Sequence, residues 1–261
     1  MELNLQDKVV VVTGGGTGIG KAVANAFAKE GCKIAICDIS MQNLENAHKE
    51  FKDAGYEIFT KLVDVSKYEE VQGFADDVCA HYRKMDVWVN NAGILPNAFI
   101  LDMDPVEWKR VMEVNLDSVF WGIQAAGRHM KESGGGVILN TSSFGGKIST
   151  TRRAPYTASK TGVNALVKLA AGELAPYNIR VNGVAPGSIE TAMQSTRPAE
   201  ERKKSVSRVA LQRACTPEEL ALTYVFLGSN AASYITGTVV EVDGGKVCIQ
   251  DPESAWAAAG K

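Results

Sequence analysis

The chain has 261 residues, of which 45% are hydrophobic and 22% are charged, and its formal net charge at pH 7 is -2. This length is sufficient to bury a sizeable core, and the composition is ordinary for a soluble globular protein. The balance of charges shows no basic bias, so neither nucleic acid nor a membrane surface is expected as a partner.

Seven short apolar runs, rich in β-branched residues, alternate with longer helical segments along the chain. Because the runs are apolar almost throughout, they favour strands covered on both faces, as in a parallel sheet. The alternation predicts an α/β fold with a doubly wound parallel sheet and helices on both faces. The predicted strands are Val9–Thr13, Lys33–Asp38, Ile58–Val63, Val87–Asn90, Val137–Thr141, Ile179–Val184 and Thr238–Val242. The predicted helices include Gly18–Glu30, Met41–Ala54, Tyr68–Tyr82, Val106–Lys131 and Pro155–Ala175.

No linker, repeat or low-complexity tract divides the chain, so residues 1–261 are predicted to form a single domain. Two segments depart from the alternation. Residues 188–213 are rich in basic residues and lack a strand period, and residues 246–261 form a C-terminal tail. Ligands of open α/β sheets bind outside the carboxyl ends of the strands. Since residues 188–213 leave such an end, we expect them to cover the substrate.

The N-terminus, the cysteines and the histidines give no sign of secretion or of metal binding. The first residues lack the apolar core of a signal peptide, and no run approaches the roughly 20 apolar residues that span a bilayer. An odd number of cysteines without a C-x-x-C pair favours reduced thiols. We therefore expect a cytoplasmic protein with no metal site. The residues concerned are Cys32, Cys37, Cys79, Cys215, Cys248, His48, His81 and His129.

A glycine-rich segment, Thr13–Gly20, joins the first predicted strand to the first helix. Glycines at Gly14, Gly18 and Gly20 permit a tight turn and a close approach of a pyrophosphate to the backbone. The start of the following helix offers free N–H groups and the positive end of a dipole. An ordinary glycine-rich turn is the alternative, but the position within a βαβ unit favours dinucleotide binding.

Asp38 ends the second predicted strand, 18 residues after Gly20. A carboxylate there accepts hydrogen bonds from the adenosine ribose and repels the 2′-phosphate of NADP. Neither Thr17 nor Ile39 supplies the positive charge that a 2′-phosphate needs. The sequence therefore predicts NAD as the cofactor, with a simple turn residue as the alternative role for Asp38.

Over Asp7 to Gly245 the chain resembles the single-domain short-chain dehydrogenase/reductase family. The order and spacing of several motifs carry this resemblance together. It implies a Rossmann-type sheet of about seven parallel strands, a nicotinamide cofactor and a homotetramer. The matching features are Thr13–Gly20, Asp64-Val65, Asn90-Asn91-Ala92-Gly93, Asn115, Ser143, Tyr156-Thr157-Ala158-Ser159-Lys160, Pro186-Gly187 with Thr191, and Asp243-Gly244-Gly245.

The resemblance also implies where the cofactor contacts lie. Asp64 and Val65 would lie beside the adenine, and the segment after the fourth strand would lie along the nicotinamide half. Residues from Pro186 to Thr191 would hold the carboxamide side of the ring. Taken singly, these motifs are also compatible with ordinary strand-ending turns. The predicted cofactor-binding residues are Gly14, Thr17, Gly18, Ile19, Gly20, Asp38, Asp64, Val65, Asn91, Ala92, Gly93, Tyr156, Lys160, Pro186, Gly187, Ile189 and Thr191.

Tyr156 and Lys160 are the predicted chemical centre. Reduction of a ketone needs hydride on carbon and a proton on oxygen, but a free tyrosine with a pKa of about 10 is a poor acid/base near neutrality. The two residues stand four apart in a helical segment, so they share one face. We expect the lysine ammonium to lower the pKa of the tyrosine and also to anchor the nicotinamide ribose.

Ser143 and Asn115 complete the predicted catalytic set. Ser143 ends a strand 13 residues before Tyr156, where its hydroxyl can donate to the substrate oxygen. Ser142 is the neighbouring alternative, although the family spacing favours Ser143. Asn115 lies inside a helical pattern, where asparagine is mildly unfavourable. The resemblance implies that it distorts the helix and holds a water that connects the lysine to solvent.

The substrate contacts are predicted to involve Ser143, Tyr156, Arg152 and Arg153. With the basic excess at 197–213, the two arginines suggest a small anionic substrate such as a hydroxy acid or a sulfonate. Solvated surface ion pairs are the alternative. Trp256 in the tail is expected either to reach the cleft of a neighbouring subunit or to be disordered.

The predicted function is NAD(H)-dependent interconversion of a secondary alcohol and a ketone, or of an alcohol and an aldehyde. Reduction of 3-oxoacyl thioesters is the main alternative, and Asp38 disfavours it because such enzymes commonly use NADPH. A non-catalytic nucleotide-binding regulator is the alternative from another class, and the complete Ser/Tyr/Lys set argues against it. An epimerase or dehydratase would need a separate substrate domain, and no such domain is evident in the sequence.

Overall fold

In the computed structural model of the chain, which describes residues 2–191 and 199–260, seven strands form one sheet in the order β3-β2-β1-β4-β5-β6-β7. All neighbouring strands are parallel. From β1 the chain adds β2 and β3 on one side of the sheet and then returns to add β4 to β7 on the other side of β1. The switch point of the strand order therefore lies between β1 and β4. The strands are β1 Val9–Thr13, β2 Lys33–Asp38, β3 Ile58–Leu62, β4 Val87–Asn90, β5 Gly136–Thr141, β6 Ile179–Pro186 and β7 Val239–Val242.

Helices cover both faces of this sheet and create two hydrophobic layers. Successive residues of β1 point to opposite faces, so that Val10 packs in one layer and Val11 in the other. Phe27 and Tyr224 fill the first layer, and Phe74 lies in the second. The helices are α1 Gly18–Lys29, α2 Met41–Asp53, α3 Tyr68–Tyr82, α4 Pro105–Met112, α5 Ser118–Ser133, α6 Ala154–Leu174, α7 Ala199–Ser207, α8 Pro217–Gly228 and α9 Pro252–Ala258.

The predicted doubly wound parallel sheet is confirmed, and the strand bounds differ from the prediction by at most two residues. The segment predicted as one helix over Val106–Lys131 is helical without a break from Pro105 to Ser133, and a π-helical turn at Glu113–Asp117 joins α4 to α5. This turn is a distortion at Asn115, as the resemblance implied. Asn115 lies in that turn with its side chain fully buried against the backbone of Ile94. A π turn inserts one extra residue into the helix and so changes the direction of the side chains in it. This change allows the Asn115 side chain to reach the backbone of Ile94.

A row of buried asparagine side chains joins three central strands. Asn90 Nδ2 donates to Asn140 Oδ1 at 2.9 Å, and Asn140 Nδ2 donates to the Asn182 carbonyl at 3.2 Å. Asn182 continues the row, since its Nδ2 donates to the Ile235 carbonyl at 2.8 Å. Buried polar groups are tolerated only when they are paired, so this row links β4, β5 and β6 in a fixed register.

Replacing Asn140 with alanine should lower the free energy of unfolding by about 2 kcal/mol, because the Asn90 amide and the Asn182 carbonyl lose a partner while staying buried. Urea unfolding at one protein concentration measures the change. Asn46→Ala, on the exposed side of α2, is the matched control and should shift stability by less than about 0.5 kcal/mol. Equal unfolding midpoints for Asn140→Ala and the wild type would contradict the assignment.

Candidate functional site

The candidate site is a cavity of about 1280 Å³ at the carboxyl edge of the sheet. It is lined by the segments that follow strands β1 to β6, which is where ligands of open α/β sheets bind. The sequence-predicted site residues all line it, except Gly20 and Asn115. Those two lie behind its wall, since Gly20 packs against Gly14 and Asn115 holds Ile94. The predicted residues are thus brought together around one space.

The glycine turn after β1 keeps the backbone open to a ligand. Gly14 and Gly18 have φ values of +61° and +53°, which L side chains rarely adopt. A Cβ on Gly20 would lie 2.1 Å from the Gly14 carbonyl oxygen, so only glycine fits there. Helix α1 begins at Gly18 and directs its first N–H groups toward the turn. This arrangement suits a negatively charged phosphate.

Thr13 and Asn91 hold this turn in place. Thr13 Oγ1 accepts hydrogen bonds from the backbone N–H groups of Asn91 and Ala92 at 3.0 and 3.2 Å. Asn91 Nδ2 donates to the carbonyl oxygens of Thr13 and Gly14 at 3.1 and 3.2 Å. The Asn91 amide is therefore used to fix the glycine turn, and sequence reasoning gave Thr13 no individual role. Its position at the strand end, directly before the glycines, was the available signal.

Asp38 lies on the cavity wall beside the glycine turn. Its Oδ2 accepts a hydrogen bond from the Gly16 N–H at 3.1 Å. Its Oδ1 accepts from the Ser40 N–H at 3.0 Å and from Asn43 Nδ2 at 3.4 Å. The neighbouring lining residue Ile39 is uncharged. These neutral donors hold a carboxylate where the adenosine ribose of a dinucleotide would lie in this fold.

The predicted adenine contacts lie in the turn that follows β3. Asp64 Oδ1 accepts from the Ser66 N–H at 3.0 Å and from Ser66 Oγ at 2.7 Å. Glu70 Oε2 accepts from the Asp64 N–H at 2.7 Å, which fixes the turn from the other side. Val65, 9% exposed, lies in the same turn. The turn therefore presents a rigid, partly apolar surface to the cavity.

The predicted nicotinamide-side residues follow β6 and form another part of the wall. The Gly187 N–H donates to the Val242 carbonyl at 3.0 Å, and Ile189 forms a bridge with Cys215. Pro186 and Thr191 line the cavity with them. Residues 192–198 of the predicted substrate-covering segment lie outside the described residues. Within the rest of that segment, α7 contributes residues to the cavity lining.

Ser143, Tyr156 and Lys160 meet where β5 ends and α6 begins. Ser143 Oγ accepts from the Gly145 N–H at 3.0 Å, which fixes the serine after the strand. Lys160 Nζ lies 5.8 Å from the centre of the Tyr156 ring and donates to the Thr141 carbonyl at 2.8 Å. The three side chains share the cavity wall, so a reacting carbonyl can lie against the serine and the tyrosine together.

Burial controls the ionisation of this set. Desolvation raises the pKa of Tyr156, while the Ser143 hydroxyl and the charge of Arg153 oppose the shift. Desolvation lowers the pKa of Lys160 to about 8. Lys160 was expected to lower the pKa of Tyr156 with the help of a positively charged oxidised nicotinamide, and this stays a prediction. The phenol is protonated near neutrality and can act as an acid.

Asn115 and Ser142 support this set from behind. Asn115 Oδ1 accepts from the Ile94 N–H at 2.8 Å, its Nδ2 donates to the Ile94 carbonyl at 2.9 Å, and Ser159 Oγ lies 3.4 Å from that Nδ2. A Cβ on Gly93 would lie 3.7 Å from Lys160 Nζ, so the loop that Asn115 holds adjoins the lysine. Ser142 Oγ instead contacts Asn164 Oδ1 at 2.5 Å, which leaves Ser143 as the serine beside the tyrosine.

The two predicted substrate arginines differ in their contacts. Arg153 donates to the carbonyl oxygens of Leu95 and Pro96 at 3.3 and 2.6 Å, which ties the loop after β4 to the start of α6. The Arg152 guanidinium lies 5.0 Å above the Phe99 ring. Both arginines line the cavity, but Arg153 also has this structural role.

Two cationic residues of the cavity wall, Arg110 and Lys246, were not predicted. The more informative is Lys246, whose Nζ donates to Ser188 Oγ at 2.8 Å and to Ser205 Oγ at 3.0 Å. Its position directly after Asp243-Gly244-Gly245 was the only sequence signal. The tail continues into α9, where Trp256 Nε1 donates to the Ala210 carbonyl of the same chain at 2.8 Å. Lys204 and Arg208, which belong to the basic excess noted at 197–213, also line the cavity.

Residues 2–191 and 199–260, which the structure describes, lack two features. They contain no helix long and apolar enough to cross a membrane. Nor do they contain a cluster of three or more histidine, cysteine or acidic side chains that could hold a metal ion.

Comparisons with known proteins agree with this geometry. A family model described as Enoyl-(Acyl carrier protein) reductase matches residues 14–246. The chain is 39% identical to the 3-oxoacyl-(acyl-carrier-protein) reductase FabG of Thermotoga maritima, and the match covers 94% of this chain and 100% of that protein. It is 36% identical to the cis-4-hydroxycyclohexanecarboxylate dehydrogenase of Sinomonas cyclohexanicum, over 93% of this chain and 98% of that one.

A solved structure shows the same architecture. The 7α-hydroxysteroid dehydrogenase complexed with NADH and 7-oxo glycochenodeoxycholic acid superimposes with a TM-score of 0.89 at 33% identity. The match covers 93% of this chain and 95% of that one. The similarity therefore extends over nearly the whole of both chains.

Proposed function

Because the chain belongs to the short-chain dehydrogenase/reductase family of oxidoreductases, we propose that it interconverts a secondary alcohol and a ketone, or an alcohol and an aldehyde, with NAD(H). The observation that carries the proposal is the meeting of Ser143, Tyr156 and Lys160 in the cavity that also holds the glycine turn and Asp38. Acid/base, oxyanion and dinucleotide-binding groups are thus available to one reacting carbon.

The residues present fit a nicotinamide dinucleotide. The cradle at Gly14 and Gly20 leaves no space for a Cβ, and the N-terminus of α1 favours the pyrophosphate. The Asp38 carboxylate would accept from the ribose hydroxyls, and the walls at Val65 and Pro186 would enclose the two ring systems. When bound, the nicotinamide would supply or accept the hydride.

The chain's own residues supply the proton and the orientation. In reduction, the Tyr156 hydroxyl donates its proton to the substrate oxygen while the Ser143 hydroxyl donates a hydrogen bond to the same oxygen. Lys160 is placed to hold the nicotinamide ribose and to lower the cost of a tyrosinate. Asn115 keeps the loop beside Lys160 in position. Oxidation uses the same groups in reverse, with tyrosinate as the base.

Asp38 should set the preference for NAD over NADP. Asp38→Asn removes the charge that repels a 2′-phosphate and weakens the ribose contact, so the ratio of kcat/KM for NAD to that for NADP should fall by at least about tenfold. Steady-state assays with both cofactors measure the ratio. Asp53→Asn, on the exposed end of α2, is the matched charge control and should leave the ratio unchanged. A wild-type preference for NADP would overturn the assignment.

A small anionic substrate fits the far end of the cavity best. Arg110, Arg152, Lys204, Arg208 and Lys246 all line the cavity, and cations in a cleft raise the local concentration of anions. One relative is named for a hydroxycyclohexanecarboxylate, which carries such a charge. Offering alcohols with and without an acidic group tests this directly. Equal kcat/KM for both kinds would remove the anionic preference.

Reduction of 3-oxoacyl thioesters is the second candidate, favoured by the 39% identity to the Thermotoga maritima enzyme. Turnover of a 3-oxoacyl thioester with NADPH in place of NADH would select it.

A non-catalytic nucleotide-binding regulator is disfavoured because the Ser/Tyr/Lys set is complete. Exposed apolar side chains at Leu222, Phe226 and Tyr234 support the family expectation of a homotetramer. The free cysteines support a cytoplasmic location.

A further inference from the structure

Lys246 is held at the substrate end of the cavity by several contacts. Its Nζ donates to Ser188 Oγ at 2.8 Å, to Ser205 Oγ at 3.0 Å and to the Ser205 carbonyl at 3.4 Å. The same ammonium lies 4.5 Å above the centre of the Phe144 ring. The side chain is half-buried, so its charge has a fixed place within the cavity wall.

This place adjoins the reacting groups. Phe144 directly follows Ser143, and Ser188 directly follows Gly187 at the end of β6. Ser205 lies on α7, the helix of the substrate-covering segment. Lys246 therefore joins three segments that line the same cavity as Ser143 and Tyr156.

We propose that Lys246 is a specificity-determining residue that binds the anionic oxygen atoms of the substrate, of the carboxylate class. This inference rests on the proposed function and assigns its substrate charge to one residue. The ammonium attracts the anion, and the hydroxyls of Ser188 and Ser205, which lie 3.0 Å apart, can rotate to donate to it as well. Hydrogen bonds between charged groups are about twice as strong as neutral ones.

The two arginines are less suited to this task. Arg153 is engaged with the carbonyl oxygens of Leu95 and Pro96, and Arg152 is exposed and lies over Phe99. Lys246 has its charge oriented by neutral hydroxyls that an anion can share. Its ammonium is a compact point charge that needs no planar partner.

The experiment offers the wild type and three variants a panel of hydroxy acids, each paired with its methyl ester. The measured quantity is the ratio of kcat/KM for the acid to kcat/KM for the ester. The proposal expects Lys246→Gln to lower this ratio about 10- to 100-fold, through loss of one charge-assisted contact. Lys246→Arg should retain most of the ratio. Lys168→Gln, on the exposed side of α6, removes the same charge away from the cavity and should not change it.

The methyl esters distinguish binding of the carboxylate by Lys246 from a purely structural role of this residue. If Lys246 only fastened α7 to the end of β7, Lys246→Gln would lower kcat/KM for acid and ester equally and leave the ratio intact, which would overturn the proposal. A wild-type ratio near one would overturn it as well. Calorimetric titration with a non-oxidisable carboxylate and with its amide provides a second readout that needs no turnover. Lys246→Gln should weaken the binding of the carboxylate and leave the binding of the amide unchanged.

Failure of the proposed function looks different. In that case the wild type would oxidise neither acids nor esters with NAD, while the calorimetric comparison would still report whether Lys246 binds a carboxylate. Equal carboxylate binding by the wild type and Lys246→Gln would reject the inference even if NAD-dependent turnover were normal.

Discussion

Tyr156→Phe should lower kcat for carbonyl reduction by about 10²- to 10⁴-fold, because it removes the hydroxyl assigned to deliver the proton. The aromatic ring and its packing remain, so the Kd for NADH should stay within about twofold of the wild type. Stopped-flow or steady-state measurement of NADH absorbance gives kcat, and fluorescence titration gives the Kd. A large fall in kcat with an unchanged Kd for NADH would identify Tyr156 as a proton donor rather than a packing residue.

The environment of Tyr156 supports this size of effect. Burial raises the pKa of the phenol, so it stays protonated near neutrality and is ready to act as an acid. The reverse reaction needs tyrosinate, whose fraction falls about tenfold for each unit by which the pH lies below the pKa. Because Tyr156→Phe has no hydroxyl, any reduction that remains in this variant would have to take its proton from solvent.

Tyr82→Phe is the matched control for this change. Tyr82 is partly buried on α3, and its hydroxyl donates to the Ile34 carbonyl at 3.1 Å, outside the cavity lining. The same atom is deleted, but kcat should remain near the wild-type value. Wild-type turnover by Tyr156→Phe, or a loss of NADH binding in that variant, would contradict the assigned role.

The strands were well predicted because their residues are buried on both faces and their apolar character is continuous. β1, for example, is buried at all of its residues from Val9 to Thr13 and was predicted with the observed bounds. The π turn at Glu113–Asp117 was not predicted as such, because it depends on a contact between Asn115 and Ile94, which lie 21 residues apart. Local periodicity carries no information about such a contact.

The same distinction applies to the site. Motifs that lie close together in sequence, such as Gly14–Gly20 and Tyr156–Lys160, could be identified from their spacing together with their context and the family resemblance. Lys246 reaches Ser188 from 58 residues away, so its place in the cavity follows only from the folding of the chain after β7. The use of the Asn91 amide to hold the Gly14 turn likewise depends on β1 and β4 being neighbours in the sheet.

Lys160→Met should affect activity and stability in opposite directions. Methionine cannot hold the nicotinamide ribose or favour a tyrosinate, and misplacement of the reacting groups by about 1 Å can cost about 100-fold in rate. We therefore expect kcat to fall by at least about 100-fold. Lys168→Met, on the exposed side of the same helix, should retain full activity.

The free energy of unfolding should increase in Lys160→Met, because the wild type buries a charge that the variant lacks. Burial lowers the pKa of Lys160 from 10.5 to about 8, which corresponds to about 3 kcal/mol of unfavourable free energy for the ammonium. The penalty is fully present below pH 8 and disappears as the pH rises from about 8 to 10.5, since the unfolded chain holds the proton longer than the folded one. The variant also loses the hydrogen bond to the Thr141 carbonyl, which offsets about 1 kcal/mol.

Lys160→Met should accordingly be more stable than the wild type by about 2 kcal/mol at neutral pH, and less stable by about 1 kcal/mol near pH 10.5, where only the lost hydrogen bond remains. Urea unfolding of both proteins at the two pH values measures the difference, and Lys168→Met should show little change at either. A variant that is less stable than the wild type at neutral pH would show that the buried ammonium carries no such cost. A gain in stability with a loss of turnover would instead show that this lysine is maintained for catalysis at the expense of the fold.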